Sequence, residues 1–156
     1  MKRNIRFTLL LLPLSLSLCF CLPAQASNID ENLPDAQALA QLELRAQQAG
    51  PRDQCFLYTE LVHTMTEIAG KQMVNGEIDQ ASATLKKVNQ YAQLIHMDLA
   101  SNSKRIKNAE MLLHHTTYKL TEYLHRASFE DRPTLQSTLK QLDQVHEELL
   151  AEVMKH

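Results

Sequence analysis

Residues 81–127 read ASATLKKVNQYAQLIHMDLASNSKRIKNAEMLLHHTTYKLTEYLHRA. They lie inside a stretch, from Gly76 to Pro133, with no Gly and no Pro between its ends. In a seven-residue frame the seam positions are Ala81, Leu85, Val88, Ala92, Ile95, Leu99, Asn102, Ile106, Ala109, Leu113, Thr116, Leu120, Tyr123 and Ala127. Only Asn102 and Thr116 of these are polar, and the frame never slips. Side chains at this spacing share one helical face. The pattern predicts one long helix over 78–128, ~75 Å at ~1.5 Å per residue. Its competitor is a pair of helices broken at Ala100-Ser101-Asn102-Ser103, which are weak helix formers and good caps. The unbroken phase favours continuity, with a kink at most.

The residues on either side also read as helices. Pro34 and Asp35 suit a first helical turn, and Leu39, Leu42 and Ala46 space as one face of a helix over 34–49. Gly50-Pro51 ends it and starts the next, over 52–74, with Leu57, Leu61, Met65 and Ile68 on one stripe. Asn75-Gly76 is a stop, because Gly accepts the left-handed turn. Beyond Glu130-Asp131-Arg132-Pro133, Leu135, Leu139, Leu142, His146, Leu149 and Val153 step as a helix over 133–154. Short turns make neighbours antiparallel. The expected fold is all-α, an elongated antiparallel bundle built on one long central helix, with 27–156 as a single domain.

The first segment reads as an address. Lys2, Arg3 and Arg6 precede an apolar run from Phe7 to Leu22, and Pro23-Ala24-Gln25-Ala26 offers small residues at the cleavage positions. This is the pattern of a Sec-type signal peptide over 1–26, cut after Ala26. The run is short and broken by Pro13, which argues against a membrane anchor. The mature chain would be periplasmic or secreted and not membrane-embedded. It keeps 13 basic residues against 18 acids, a net charge of −5, which gives no general attraction to nucleic acid. Three Gly and 5% aromatics in the chain argue against a sandwich, a barrel or a glycine-loop nucleotide fold. Cys55 is the one cysteine left after the leader, so it is buried, reactive or paired in an intermolecular disulfide.

The run Gly76-Glu-Ile-Asp-Gln-Ala81, followed by Leu85 and Val88, resembles the turn and second helix of a tetratricopeptide repeat. Met65, Ile68 and Ala69 sit where the first helix of such a hairpin packs. The resemblance covers residues 58–91 and implies protein binding, as in the peptide-binding adaptors of that family. No second copy follows at a ~34-residue period.

Two Glu-x-x-His spacings, Glu60–His63 and Glu122–His125, resemble those of ferritin-like di-iron bundles. Here the faces disagree. Glu60, His63 and Glu67 lie opposite the Leu57/Leu61/Met65/Ile68 stripe, so a solvated polar face is expected. His63 with Glu67, and Glu110 with His114, are i,i+4 pairs, and two ligands make a weak metal site. Met111, His114, Tyr118, Thr121 and His125 form a second stripe on the long helix, a candidate interaction face. His146 falls on the seam of the last helix, where a satisfied imidazole is expected. Lys86-Lys87 and Lys104-Arg105 with Lys107 read as solvated faces. Nucleophile-elbow, Walker, CxxC and haem-attachment patterns are absent from the sequence. The expectation is therefore an exported, non-catalytic interaction or scaffolding protein without catalytic residues or cofactor, working with a protein partner or with itself. The alternative is a metal- or cofactor-binding helical bundle.

Overall fold

The computed structural model describes residues 34–97 and 105–155. The leader at 1–26, the polar arm at 27–33 and the Ala100–Ser103 segment lie outside the described residues. All described residues belong to one compact unit, Glu31–His156. They form five helices and, among them, no strand: α1 (Ala36–Gln48), α2 (Pro51–Val74), α3 (Ile78–Met97), α4 (Ile106–Arg126) and α5 (Arg132–Met154). No helix among the described residues is long and apolar enough to cross a membrane.

Local chemistry sets the ends. The Asp35 side chain accepts from the Ala38 amide at 2.7 Å and caps α1. Pro51 opens α2, where a missing N–H costs nothing. Gly76, at φ 78°, turns the chain from α2 into α3, and the Glu77 amide closes the turn on Gln72 O at 2.8 Å. Before α5, Ser128 Oγ donates to Asp131 Oδ2 at 2.6 Å.

The helix predicted over 78–128 is two helices in the structure. Among the described residues α3 spans Ile78–Met97, and α4 starts at Ile106 after Arg105, whose backbone is not helical. The two run in opposite directions along α2. Tyr58 stacks on Tyr91 and Gln72 accepts from Thr84, so α3 is antiparallel to α2. Phe56 lies under Arg105, His63 meets Thr116 and Glu67 meets Tyr123, so α4 is parallel to α2. The physical reason is that heptad phase reports which face is buried, not whether the axis is straight. Ala81, Leu85, Val88, Ala92 and Ile95 of α3, and Ile106, Ala109, Leu113, Thr116 and Leu120 of α4, all face one core.

α5 is antiparallel to α4, through His146–Glu110 near one end and Arg132–Ala127 near the other. It also packs on α3, where Asn89 donates to Thr138 at 3.2 Å. The ring order is therefore α2, α3, α5, α4, with α3 and α4 at opposite corners. α1 lies against α2, its Ala46 carbonyl accepting from Gln54 and its Glu43 accepting from the Tyr91 hydroxyl.

A candidate site between α2 and α4

With α1, α3 and α4 all against it, α2 is buried almost all round, including five consecutive residues from Cys55 to Thr59. Thr59 and Thr66 satisfy their hydroxyls on the carbonyls of Cys55 and Val62, at 2.9 and 2.8 Å. The face of α2 that was expected to be solvated is the one α4 covers. His63 and Glu67 are half-buried there, because α4 folds back onto α2 instead of running on from α3.

Three side chains converge on this seam. One nitrogen of His63, one carboxylate oxygen of Glu67 and one nitrogen of His115 lie within 4.8 Å of one another. Among the described residues no other group of three such side chains does so. The His63 and His115 rings stand 5.5 Å apart, tilted by 46°.

The tautomer of His63 follows from its neighbour. Thr116 spends its one hydroxyl proton on Leu112 O at 2.7 Å. It can therefore only accept at its 2.9 Å contact with His63 Nδ1. Nδ1 carries the proton, and Nε2 of the neutral ring keeps its lone pair. Glu67 is oriented too, by the Tyr123 hydroxyl, which donates to Oε2 at 3.3 Å. Burial, then the Glu67 charge and this hydrogen bond, push the Tyr123 phenol up to about 12.

Burial holds His63 below the ordinary imidazole value of 6.5; Glu67 opposes the shift, while His115 and Lys119 add to it. Above pH ~6.5 the ring is neutral in both folded and unfolded chains and nothing is lost. As pH falls through 6.5 towards the lower folded value, the unfolded chain takes up more protons and stability drops. The thermal midpoint is expected to fall between about pH 7 and about pH 5, and His63→Gln to remove part of that fall. Parallel pH profiles for the two proteins would sink this assignment.

The other predicted site residues lie apart from these three. Met111, His114, Tyr118 and His125 are exposed on α4, while Thr121 is half-buried with its hydroxyl on Thr117 O at 2.9 Å. The His114 ring stands 5.2 Å from that of His146, and His146 Nε2 meets Glu110 Oε1 at 2.9 Å across α4 and α5. Cys55 is 0% exposed, so a disulfide to a second molecule would require this part of the bundle to open. Lys86, Lys87 and Lys107 are exposed, and the Arg105 guanidinium sits 3.4 Å from the centre of the Phe56 ring. The two Glu-x-x-His motifs do not converge: His63 joins Glu67 and His115, while His125 stays on the outer face of α4.

Reading the sequence found His63 with Glu67 but missed His115, since no spacing rule links residues on different helices. The only trace is the His114-His115 doublet, which sends one imidazole towards α5 and the other towards α2. His115 also borders an open groove of about 360 Å³ with Phe56, Asn108, Met111 and Leu112. Compared with protein-family models, with curated proteins and with solved structures, the chain finds no match.

Proposed function

We propose that this protein is an exported, non-catalytic module that binds a partner protein along α4, the partner offering an acidic amphipathic helix. One observation supports the reading. α4 turns Met111 and Tyr118 to solvent, 67% and 59% exposed, on a stripe shared with Lys107, His114 and His125. Exposed apolar side chains grouped in this way mark interaction surfaces more often than singly scattered ones do. The exposed ionisable side chains of the stripe are Lys107, His114 and His125, none of them acidic, although the chain carries a formal net charge of −2. Glu110 and Glu122 lie at its edges, and Glu110 is already engaged by His146. An apolar centre with basic and imidazole flanks complements a helix with an apolar face and acidic flanks. Export rests on the leader at 1–26.

The test places a photoreactive phenylalanine analogue at Tyr118 and irradiates the exporting cell. The expected adduct joins this chain to an acidic helical segment of another protein, and Met111→Lys abolishes it. The same mass spectra are expected to show a chain beginning at Ser27. Adducts confined to a second copy of this chain, or none at all, overturn the partner reading. A chain retaining residues 1–26 overturns the export reading.

A further inference from the structure

We propose that His63, Glu67 and His115 bind one divalent transition-metal ion of the Zn²⁺ class, tying α2 to α4. The site is independent of the partner-binding reading above. Its geometry suits an ion. Donors around tetrahedral Zn²⁺ lie ~2.0–2.2 Å from the ion and hence ~3.4 Å from each other. Donors within 4.8 Å of one another reach that spacing by small side-chain rotations. His63 and Glu67 are one helical turn apart on α2, and His115 arrives from the parallel helix.

The ligands are also oriented. Metal-binding imidazoles and carboxylates are usually held by hydrogen bonds from behind, which fix the tautomer and the rotamer. Both features are present here. Thr116 accepts from His63 Nδ1 and leaves Nε2 as the donor atom, and the Tyr123 hydroxyl holds one oxygen of Glu67. Gly70 makes room for the Tyr123 ring, since a Cβ at that position would overlap it. A polar patch kept only for solubility needs neither a fixed tautomer nor a glycine behind its carboxylate.

Two imidazole nitrogens and one carboxylate suit Zn²⁺, Co²⁺, Ni²⁺ or Cu²⁺, whereas Mg²⁺ and Ca²⁺ want oxygen alone. Three protein ligands leave a position for water or an external ligand. His115 also lines the groove of Phe56, Met111 and Leu112.

The test uses chelator-treated protein without a polyhistidine tag, titrated with Zn²⁺ by calorimetry and with Co²⁺ by visible absorption. One equivalent is expected to bind, with the intense Co²⁺ bands of a four-coordinate site. His115→Gln is the decisive variant, because its side chain is exposed and the bundle does not need it to fold. It is expected to weaken Zn²⁺ about 100-fold, as Glu67→Gln also does, and Thr116→Val about 10-fold through the lost support. His125→Gln and His146→Gln are expected to bind as the parent does. Zn²⁺ should raise the thermal midpoint of the parent but not of His115→Gln. No binding by the parent, unchanged binding by His115→Gln, or a loss caused by His146→Gln instead would overturn the site.

Discussion

Leu113→Ala is expected to lower the unfolding free energy by about 3 kcal/mol, within the ~2–5 kcal/mol seen for buried leucines. Leu113 is 0% exposed in the core that α2, α3, α4 and α5 share. Its loss removes apolar burial and leaves a cavity that rigid neighbours fill only in part. For a domain of this size the thermal midpoint should drop by roughly 10 °C. Leu112→Ala is the internal control. It is only half-buried at the groove edge, and its truncation is expected to cost about 1 kcal/mol or less. Chemical denaturation of the two variants checks the difference. Equal losses would mean that α4 does not present the Leu113 face to the core.

Gly70→Ala carries the second large effect, and its sign is informative. In an ordinary helix this change stabilises by about 1 kcal/mol. Here the new methyl group would overlap the ring of Tyr123. The ring must swing outward, giving up its burial and its hydrogen bond to Glu67. The net expectation is a loss of about 1–2 kcal/mol. When Tyr123→Ala is already present, the obstacle is gone and Gly70→Ala should stabilise. The resulting coupling is about 2–3 kcal/mol, well beyond the additivity expected of independent sites. A second readout follows the phenol, which sits at about 12 in the parent. In Gly70→Ala it should return towards 10, seen as tyrosinate absorbance appearing at lower pH. If Gly70→Ala stabilised the parent, the parallel packing of α2 on α4 would be wrong.

Helicity and the buried seams were legible because apolar periodicity is a local property. Leu57, Leu61, Leu85, Val88, Leu135 and Leu142 announce their faces from spacing alone, and each is buried in the structure. The reversal between α3 and α4 was not legible from phase. Two helices that face one core repeat the same pattern as one straight helix, and only the capping residues at 100–103 pointed to a break. The reversal also decides which face of α2 is buried. A straight helix would leave the Glu60/His63/Glu67 face of α2 in water, so the pairing of His63 and Glu67 looked like surface chemistry. Once α4 lies along α2, the same face becomes an interhelical seam, and His115 arrives from 52 residues away in sequence. Gly70 was equally mute, because the ring that requires it belongs to another helix.

The diagonal arrangement of α3 and α4 also bears on the entropy of closing the chain. The contacts that join the two hairpins, His63–Thr116, Glu67–Tyr123 and Asn89–Thr138, span 53, 56 and 49 residues. The Gln72–Thr84 contact within the first hairpin spans only 12. Loop-closure entropy grows with the logarithm of length, so closing the longer loops costs only about 1.3 kcal/mol more than closing the shorter one. His63–Thr116 and Glu67–Tyr123 lie side by side on the α2–α4 seam, so whichever forms first leaves only a short further loop for the other to close. Bringing residues from distant parts of the chain to one seam thus adds little conformational penalty to that of a simple helical hairpin.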